Sequence, residues 1–266
     1  MKISKKQAGL KRFVLIVLCL LSILFVLLKQ SDYRYLIDGN FSGLSFFFEL
    51  YSGRDFIVFE FILLLSIPII THLNTCIYRN NHFDTMIISR IGYREFFFEN
   101  FKQSIKDVWY YPIVINLLTV FIIHFVLAPI IGKEIDYVAN YFTSLGLLDL
   151  LLFTFFQMIG WSLLNYFCFL LSQIISNKYA YVLSFGIYTI VTTIAFTIIG
   201  SIIPLEIGWL FYIFSPFTLL CPGVIGLWSI NRGIMTIIVV VLSFLFHICL
   251  LIVLSKYVVK GRVTNG

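Results

Sequence analysis

Few side chains of this chain could take part in proton or ion chemistry, and they are scattered through long apolar stretches. Glu60 and Asp149 are the carboxylates within these stretches, and an ionisable group inside a membrane span indicates a transport pathway. His72, His124 and His247 lie in three different stretches, with no carboxylate at catalytic spacing. We therefore expect these three to be core histidines with satisfied ring nitrogens.

Uncharged polar side chains form a second set of candidates. Gln157 and Asn165 share a rough helix face with Cys168 and Ser172. In the next apolar stretch, Thr193 belongs to a series of Gly and Thr residues spaced three or four apart, which is the spacing of one helix face. Such faces are typical of tight helix packing, with a substrate-lining strip as the alternative. The candidate pathway residues are Glu60, Asp149, Gln157, Asn165 and Thr193.

Motifs of the common enzymes are absent from the sequence. It has no phosphate-binding G-x-x-x-x-G-K-[ST] loop, and neither H-E-x-x-H nor G-x-S-x-G occurs. We predict that the chain is not an enzyme and that it holds no metal or cofactor of its own. An intramembrane enzyme with a degenerate site is the alternative.

Composition indicates that membrane helices position these residues. Of the 266 residues 60% are hydrophobic and 12% are charged, and the mean hydropathy is +0.98, whereas about 25% of residues are charged in soluble domains. The runs are continuously apolar, which favours helices over strands. We predict an all-α polytopic membrane protein with one transmembrane domain over residues 1–266. Six segments have about the 20 residues that a span needs: 13–28, 56–73, 110–131, 147–175, 179–203 and 234–254.

Lys and Arg are unevenly divided between the two sides that six spans define. Fourteen of the nineteen lie in the N-terminal tail, in the connection between the second and third spans, at Lys178 and in the C-terminal tail. By the positive-inside rule this side faces the cytoplasm, so both termini are predicted to be cytoplasmic. The net charge of +6 has the same explanation, and nucleic-acid binding is not favoured.

The inner connection, residues 74–109, is predicted to contain two short helices. Asp84 can cap the first helix, and Gly92 marks a break before the second. Beyond that break, apolar residues recur from Phe97 to Val108 at spacings of four, four and three, which places them on one helix face. We expect this amphipathic helix to lie along the inner membrane surface, with a plain interfacial connector as the alternative.

The outer connection, residues 204–233, is apolar in its middle but broken by Pro216 and Pro222. It is too short to span the membrane comfortably, and its prolines forbid a continuous helix. We expect two short helices that dip into the membrane and return, and a loop lying flat in the outer interface is the alternative. A shorter aromatic run at 44–51, in the first outer loop, is expected to lie at the membrane interface.

This plan resembles the permease subunit of type 2 ATP-binding-cassette (ABC) transporters of the bacterial exporter type. The order of spans and connections resembles that family over nearly the whole chain. The resemblance of the sequence itself is limited to two segments, IISRIGYREFF (87–97) and YIFSPF (212–217). It implies that the inner connection contains a coupling helix that docks into a groove on the ATPase. The implied coupling residues are Asp84, Met86, Ile87, Arg90, Gly92 and Arg94. The implied outer-gate residues are Trp209, Phe211, Phe214, Pro216 and Phe217.

The resemblance also implies a set of partners and a location. Two permease chains, identical or related, would work with two ABC ATPase subunits, which bind ATP and Mg, in the bacterial plasma membrane. The exported substrate would be a peptide, a lipid or another amphipathic molecule, and membrane lipid would be the remaining partner. The alternatives are a stand-alone channel or secondary transporter, which would work without ATP, and a non-transporting membrane immunity or interaction protein.

Overall fold

Helices account for almost all of the chain that the structure describes. The computed structural model describes residues 43–52, 71–77, 83–126, 141–143, 145–202, 209–223 and 233–264, and isolated positions between 13 and 24 and at 67, 79, 81, 129 and 130. Within these ranges there is no strand, so the predicted all-α class is confirmed there. Most of the first two predicted spans, 13–28 and 56–73, lies outside the described residues.

Three helical stretches are long and apolar enough to cross a membrane, which is compatible with a transmembrane protein. They are Tyr93–Val126, Gly146–Ile174 and Ile234–Lys260. The helices in chain order are α1 (Gly43–Ser52), α2 (Phe83–Ile91), α3 (Tyr93–Val108), α4 (Tyr111–Val126), α5 (Gly146–Ile174), α6 (Lys178–Ile202), a 3₁₀ helix (Trp209–Phe214), α7 (Phe217–Leu220) and α8 (Ile234–Thr264). The 29 residues of α5 extend over about 43 Å, which exceeds the roughly 30 Å hydrocarbon core.

The predicted ends of the apolar segments agree closely with α5 and α6. The segments 147–175 and 179–203 match these two helices within one residue at each end. The segment 110–131 corresponds to α4, which is described from Tyr111 to Val126, and position 129 is a proline outside any helix. The segment 234–254 begins where α8 begins, but α8 continues to Thr264, since charged residues end an apolar run without ending a helix.

The helices α3 and α4 follow each other across a turn at 109–110 and together run antiparallel to α5. Near the start of α3, the rings of Phe97 and Phe169 meet edge to face with centroids 5.7 Å apart. Farther along, the Asn116 side chain of α4 bonds to Gln157, twelve residues before Phe169 in α5. The amphipathic helix expected along the inner membrane surface therefore lies lengthwise beside α5, because its apolar face packs against protein.

The aromatic run at 44–51 forms most of α1 and is buried inside the bundle. The ring of Phe47 packs edge to face on Phe153 of α5 at 5.8 Å, and Phe48 packs on Tyr141 at 4.7 Å. The Tyr141 hydroxyl also donates a hydrogen bond to the Phe48 carbonyl, at 2.9 Å. The aromatic side chains of this short helix therefore pack against protein, and the position of the run at the membrane interface stays a prediction.

The two ends of the bundle gather different segments of the chain. At one end the Cys76 thiol lies 3.5 Å from the Ile175 carbonyl oxygen, which follows α5 directly. At the same end Arg94 of α3 and Lys256 of α8 line one cleft. At the other end Gly223 packs against residues 141–142, just before α5 begins. The first end carries the basic residues that the sequence assigns to the cytoplasmic side.

Candidate functional site

Residues 209–223 form an irregular segment that packs against the middle of α5. Pro216 is buried at the N-cap position of α7, which is only four residues long. After it Leu219, Leu220 and Cys221 are all buried. A segment that is not a regular helix leaves backbone groups without local partners, so a buried one must obtain them from its neighbours.

Gly160 allows this segment to touch the backbone of α5. A Cβ atom at Gly160 would overlap the Leu219 carbonyl oxygen and would lie 2.7 Å from the Leu219 carbonyl carbon. Gly160 is the central residue of α5, with fourteen helical residues on each side. The irregular backbone around Leu219 therefore lies level with the midpoint of a helix that is long enough to cross a membrane.

Gln157 supplies a hydrogen-bond donor to a backbone carbonyl of the irregular segment and links that segment to α4. Its amide nitrogen donates to the Leu220 carbonyl oxygen at 3.0 Å, and its oxygen accepts from the Asn116 side-chain nitrogen at 2.9 Å. Trp161 makes a longer contact, 3.4 Å, with the same carbonyl. The Asn116 oxygen in turn accepts from the Tyr51 hydroxyl of α1 at 2.7 Å. One chain of buried hydrogen bonds thus links α1, α4, α5 and α7.

Asp149 holds the loop that precedes α5. Its carboxylate accepts backbone N–H groups from Tyr141 at 2.8 Å, Phe142 at 2.6 Å and Thr143 at 3.1 Å, and the residue is completely buried. Hydrogen bonds of this charge-assisted kind are the strong ones. Both carboxylate oxygens are therefore engaged by the protein backbone, and Asp149 fixes the loop on which Gly223 rests.

Asn165 lies in a second buried polar cluster, closer to the basic end of the bundle. Its side-chain nitrogen donates to the Ser104 carbonyl oxygen of α3 at 2.9 Å. The Ser104 hydroxyl lies 3.5 Å from a ring nitrogen of His72. The side-chain oxygen of Asn165 is buried and has no hydrogen-bond partner within the described part of the chain. Gln157 and Asn165 therefore both join neighbouring helices.

The structure describes the side chains of only some of the predicted outer-gate residues. Phe214 is partly exposed, and its ring packs edge to face on Phe246 of α8 at 4.8 Å. Phe217 is half-buried against the core. Trp209 and Phe211 belong to the 3₁₀ helix, but their side chains lie outside the described part of the structure. Two of the predicted pathway residues are also not described here: Glu60 entirely, and Thr193 of α6 in its side chain.

The predicted coupling residues lie at an elbow between α2 and α3. Gly92 has φ 81° and ψ 157°, a backbone conformation that is nearly restricted to glycine. Its N–H closes α2 on the Ile88 carbonyl at 2.7 Å, and its own carbonyl accepts the Phe96 N–H at 3.1 Å. The predicted break at Gly92 is therefore confirmed. Asp84 lies inside α2, which begins one residue earlier, so the predicted capping position is wrong.

The elbow exposes apolar and basic side chains together. Met86 is 63% exposed, whereas Ile87 is half-buried against the core. Arg90 lies in the last turn of α2, Arg94 lies in the first turn of α3, and both are exposed. A contiguous exposed apolar and basic surface is typical of a protein-binding site. The side chain of Asp84 lies outside the described part of the structure.

The histidines divide into two buried residues and one exposed residue. His72 and His247 are buried, as expected, and Nδ1 of His247 lies 2.8 Å from the Ser243 carbonyl oxygen. Nε2 of His247 has no hydrogen-bond partner among the described residues, so the expectation of satisfied ring nitrogens is wrong for this residue. His124 is exposed near the end of α4, so its expected core position is wrong. Among the described residues no three His, Cys, Asp or Glu side chains come together as a metal site.

Comparison with known proteins adds no identification. No family model, no curated protein and no solved structure matches this chain. The functional argument therefore rests on the geometry of the irregular segment and of the elbow.

Sequence reasoning missed three residues that hold the irregular segment, namely Tyr51, Asn116 and Gly160. A signal for Asn116 was available, since it is the only Asn, Gln or charged residue between positions 110 and 123 in the third apolar stretch, and polar side chains in membrane helices usually face protein. Nothing in the sequence around Gly160 or Tyr51 indicated their roles, because those roles depend on which residues pack against them in the fold.

Proposed function

We propose that this chain is the membrane-spanning permease subunit of a type 2 ABC exporter. It lies in the bacterial plasma membrane with six spans and with both termini in the cytoplasm. The observation that carries the proposal is the continuous connection between an exposed elbow at Gly92 and the buried irregular segment at 209–223. The helices α3 and α4 lead from the elbow along α5, and α5 holds the segment.

The elbow serves as the docking site for an ATPase subunit. Met86 supplies apolar contact area, and Arg90 and Arg94 supply charge and donors for carboxylates on the partner. Gly92 sets the angle between α2 and α3, because few other residues adopt its backbone conformation. Asp84 and Ile87 complete the docking surface in the proposal.

Motion of the ATPase reaches the segment through packed helices. Phe97 and Phe101 of α3 pack edge to face on Phe169 and Tyr166 of α5, so a displacement of α3 moves α5 with it. Allosteric coupling travels through such contiguous packing and hydrogen-bond networks. The end of this path is Gln157, which bonds to the Leu220 carbonyl.

The irregular segment acts as the outer gate. It closes the pathway when its carbonyl groups are held by α5, and it opens when a shift of α5 weakens those contacts. Phe214, Pro216 and Phe217, with Trp209 and Phe211, supply its apolar surface. Two permease chains, identical or related, enclose the pathway between them, and two ATPase subunits with ATP and Mg drive it.

The substrate class follows from the polar groups of the interior. Gln157 and Asp149 are occupied by hydrogen bonds within the chain, so among the described residues they do not form an open polar ring for an ion. A pathway with apolar and aromatic surfaces favours an amphipathic peptide or a lipid. Glu60, Asn165 and Thr193 remain pathway candidates in the proposal.

Co-purification from the native membrane tests the proposal. Tagged chain is extracted in mild detergent, and proteins that accompany it are identified by mass spectrometry. We expect a stoichiometric partner with a phosphate-binding loop. Arg90→Glu should lose this partner, because the charge at the elbow is inverted, while membrane insertion is unchanged.

Lys178→Glu is the matched control, since it inverts an exposed charge at the same end of the bundle but outside the elbow. It should retain the partner. If Arg90→Glu retains the partner and exports normally, the coupling assignment is wrong. Recovery of a stable chain without any ATPase would favour the channel or the immunity protein, and an ATP-free flux assay in liposomes would separate these two.

A further inference from the structure

A cleft lies between α3, α5 and α8. Phe97, Phe101 and Tyr166 of the proposed coupling path form part of its wall, but the proposal assigns no occupant to the space itself. Its volume is 1040 Å³, just above the range of about 300–1,000 Å³ that is typical of ligand pockets. A second cleft of 560 Å³ adjoins it, because the two share Arg94, Phe97, Ser255 and Lys256. We call the combined space the inner cleft.

The inner cleft is apolar along most of its length. Phe101, Leu163 and Leu251 form its floor, and Phe98, Ile248 and Ile252 form its open sides. No described part of the chain covers Ile252, which remains 50% exposed. An apolar cleft of this size in a membrane protein takes an apolar occupant, since water would gain no hydrogen bonds there.

The charged groups of the inner cleft lie at one end. On α8 the side chains change from apolar at Ile252 to basic at Lys256 and Lys260, and on α3 Arg94 lies at the same end. Glu95 is the acidic residue of the lining, so basic groups are in excess. Within the described part of the chain, neither Arg94 nor Lys256 has an acidic side chain within salt-bridge distance.

We propose that the inner cleft binds one anionic phospholipid of the cytoplasmic leaflet. Its phosphate lies at Arg94 and Lys256, and an acyl chain runs along Leu251 towards Ile248. An anionic headgroup complements the excess of basic groups, and the acyl chain covers apolar walls that a free phosphate ion would leave exposed. The position of the cleft along α8 also fits a lipid. The apolar run of α8 ends where its basic residues begin, which is the pattern of a helix that leaves the membrane at its surface.

The inference depends on the chain being embedded in a membrane, but it does not depend on an ATPase partner. It is therefore tested on the purified full chain alone. Native mass spectrometry measures the retention of added phosphatidylglycerol and of phosphatidylcholine with the same acyl chains. We expect one tightly retained phosphatidylglycerol and a clear preference over phosphatidylcholine.

The charge contribution is tested with a double variant, Arg94→Gln with Lys256→Gln. Because each basic group near an anionic lipid contributes to binding, we expect the preference to fall by about 30-fold. The matched control is Lys102→Gln with Lys106→Gln, which removes the same charge from exposed positions of α3 outside the cleft. This control should keep the preference.

The apolar contribution is tested by filling the cleft with Ile248→Trp, which should lose both lipids. Ile238→Trp is the control, since Ile238 lies on the same helix with similar exposure, 42% against 38%, but outside the cleft. Equal retention of the two lipids by the wild-type chain would overturn the proposal, and so would an unchanged preference in the Arg94 and Lys256 variant. If Ile248→Trp does not fold, the charge variants still decide the outcome.

Discussion

The contact between Gly160 and Leu219 predicts that one added methyl group will displace the irregular segment. In Gly160→Ala the new Cβ would overlap the Leu219 carbonyl oxygen, so either that backbone or α5 must move. Any destabilisation comes from packing, because alanine favours a helix more than glycine does. A displaced segment also weakens the hydrogen bond from Gln157 to the Leu220 carbonyl.

The magnitude follows from these two losses. Overpacking typically destabilises by about 1–3 kcal/mol, and a lost hydrogen bond by about 0.5–1.5 kcal/mol. We expect about 2–3 kcal/mol for local opening of the segment, which raises the open population about 30- to 140-fold. The gain in helix propensity, up to about 1 kcal/mol, stabilises α5 whether the segment is seated or open, so it does not change the free energy of opening.

Cys221 reports the opening, since it is completely buried next to Leu220. The assay is the rate of alkylation by N-ethylmaleimide in detergent, with Cys221 as the only cysteine; the positions replaced are Cys19, Cys76, Cys168 and Cys249. We expect Gly160→Ala to accelerate alkylation by the factor given above. Leu151→Ala is the control, because Leu151 is exposed on the same helix. Alkylation of Gly160→Ala at the wild-type rate would refute the contact between Gly160 and Leu219.

Two further predictions concern the loop before α5 and the elbow. Asp149→Asn removes one of the two carboxylate oxygens that accept the three backbone N–H groups of the loop. We expect the free energy of unfolding to fall by about 1–3 kcal/mol, which is measured as a lower unfolding midpoint. An unchanged midpoint would show that the carboxylate does not hold the loop. Gly92→Ala meets no neighbouring atom within 4 Å, but its backbone strain of about 1–3 kcal/mol should speed tryptic cleavage after Arg90 or Arg94 while Cys221 stays unreactive. Wild-type cleavage would show that the elbow does not need glycine.

Helix positions could be predicted well where an apolar run and a helix end together. The segments 147–175 and 179–203 match α5 and α6 within one residue, because the turn between them is polar. At α8 the prediction stopped ten residues early, since hydropathy follows the apolar run and not the backbone hydrogen bonds.

The candidate site was predictable only in part. The break at Gly92 and the irregular backbone around Pro216 follow from the conformational limits of glycine and proline. The partners of these residues did not follow, because a hydrogen bond from Gln157 to Leu220 joins positions 63 residues apart. The burial of the aromatic run at 44–51 was missed for the same reason.

The sequence by itself determined the all-helical class of the described part of the chain and its apolar segments fit for a membrane, and it located the breaks. These properties are local, since hydropathy, proline and glycine act on the residues around them. The tertiary structure decided what each polar group does, and it placed Asp149 against a loop, Gln157 against a carbonyl and α3 beside α5. Such contacts join distant positions, and a side chain takes its role from the neighbour that packing brings to it.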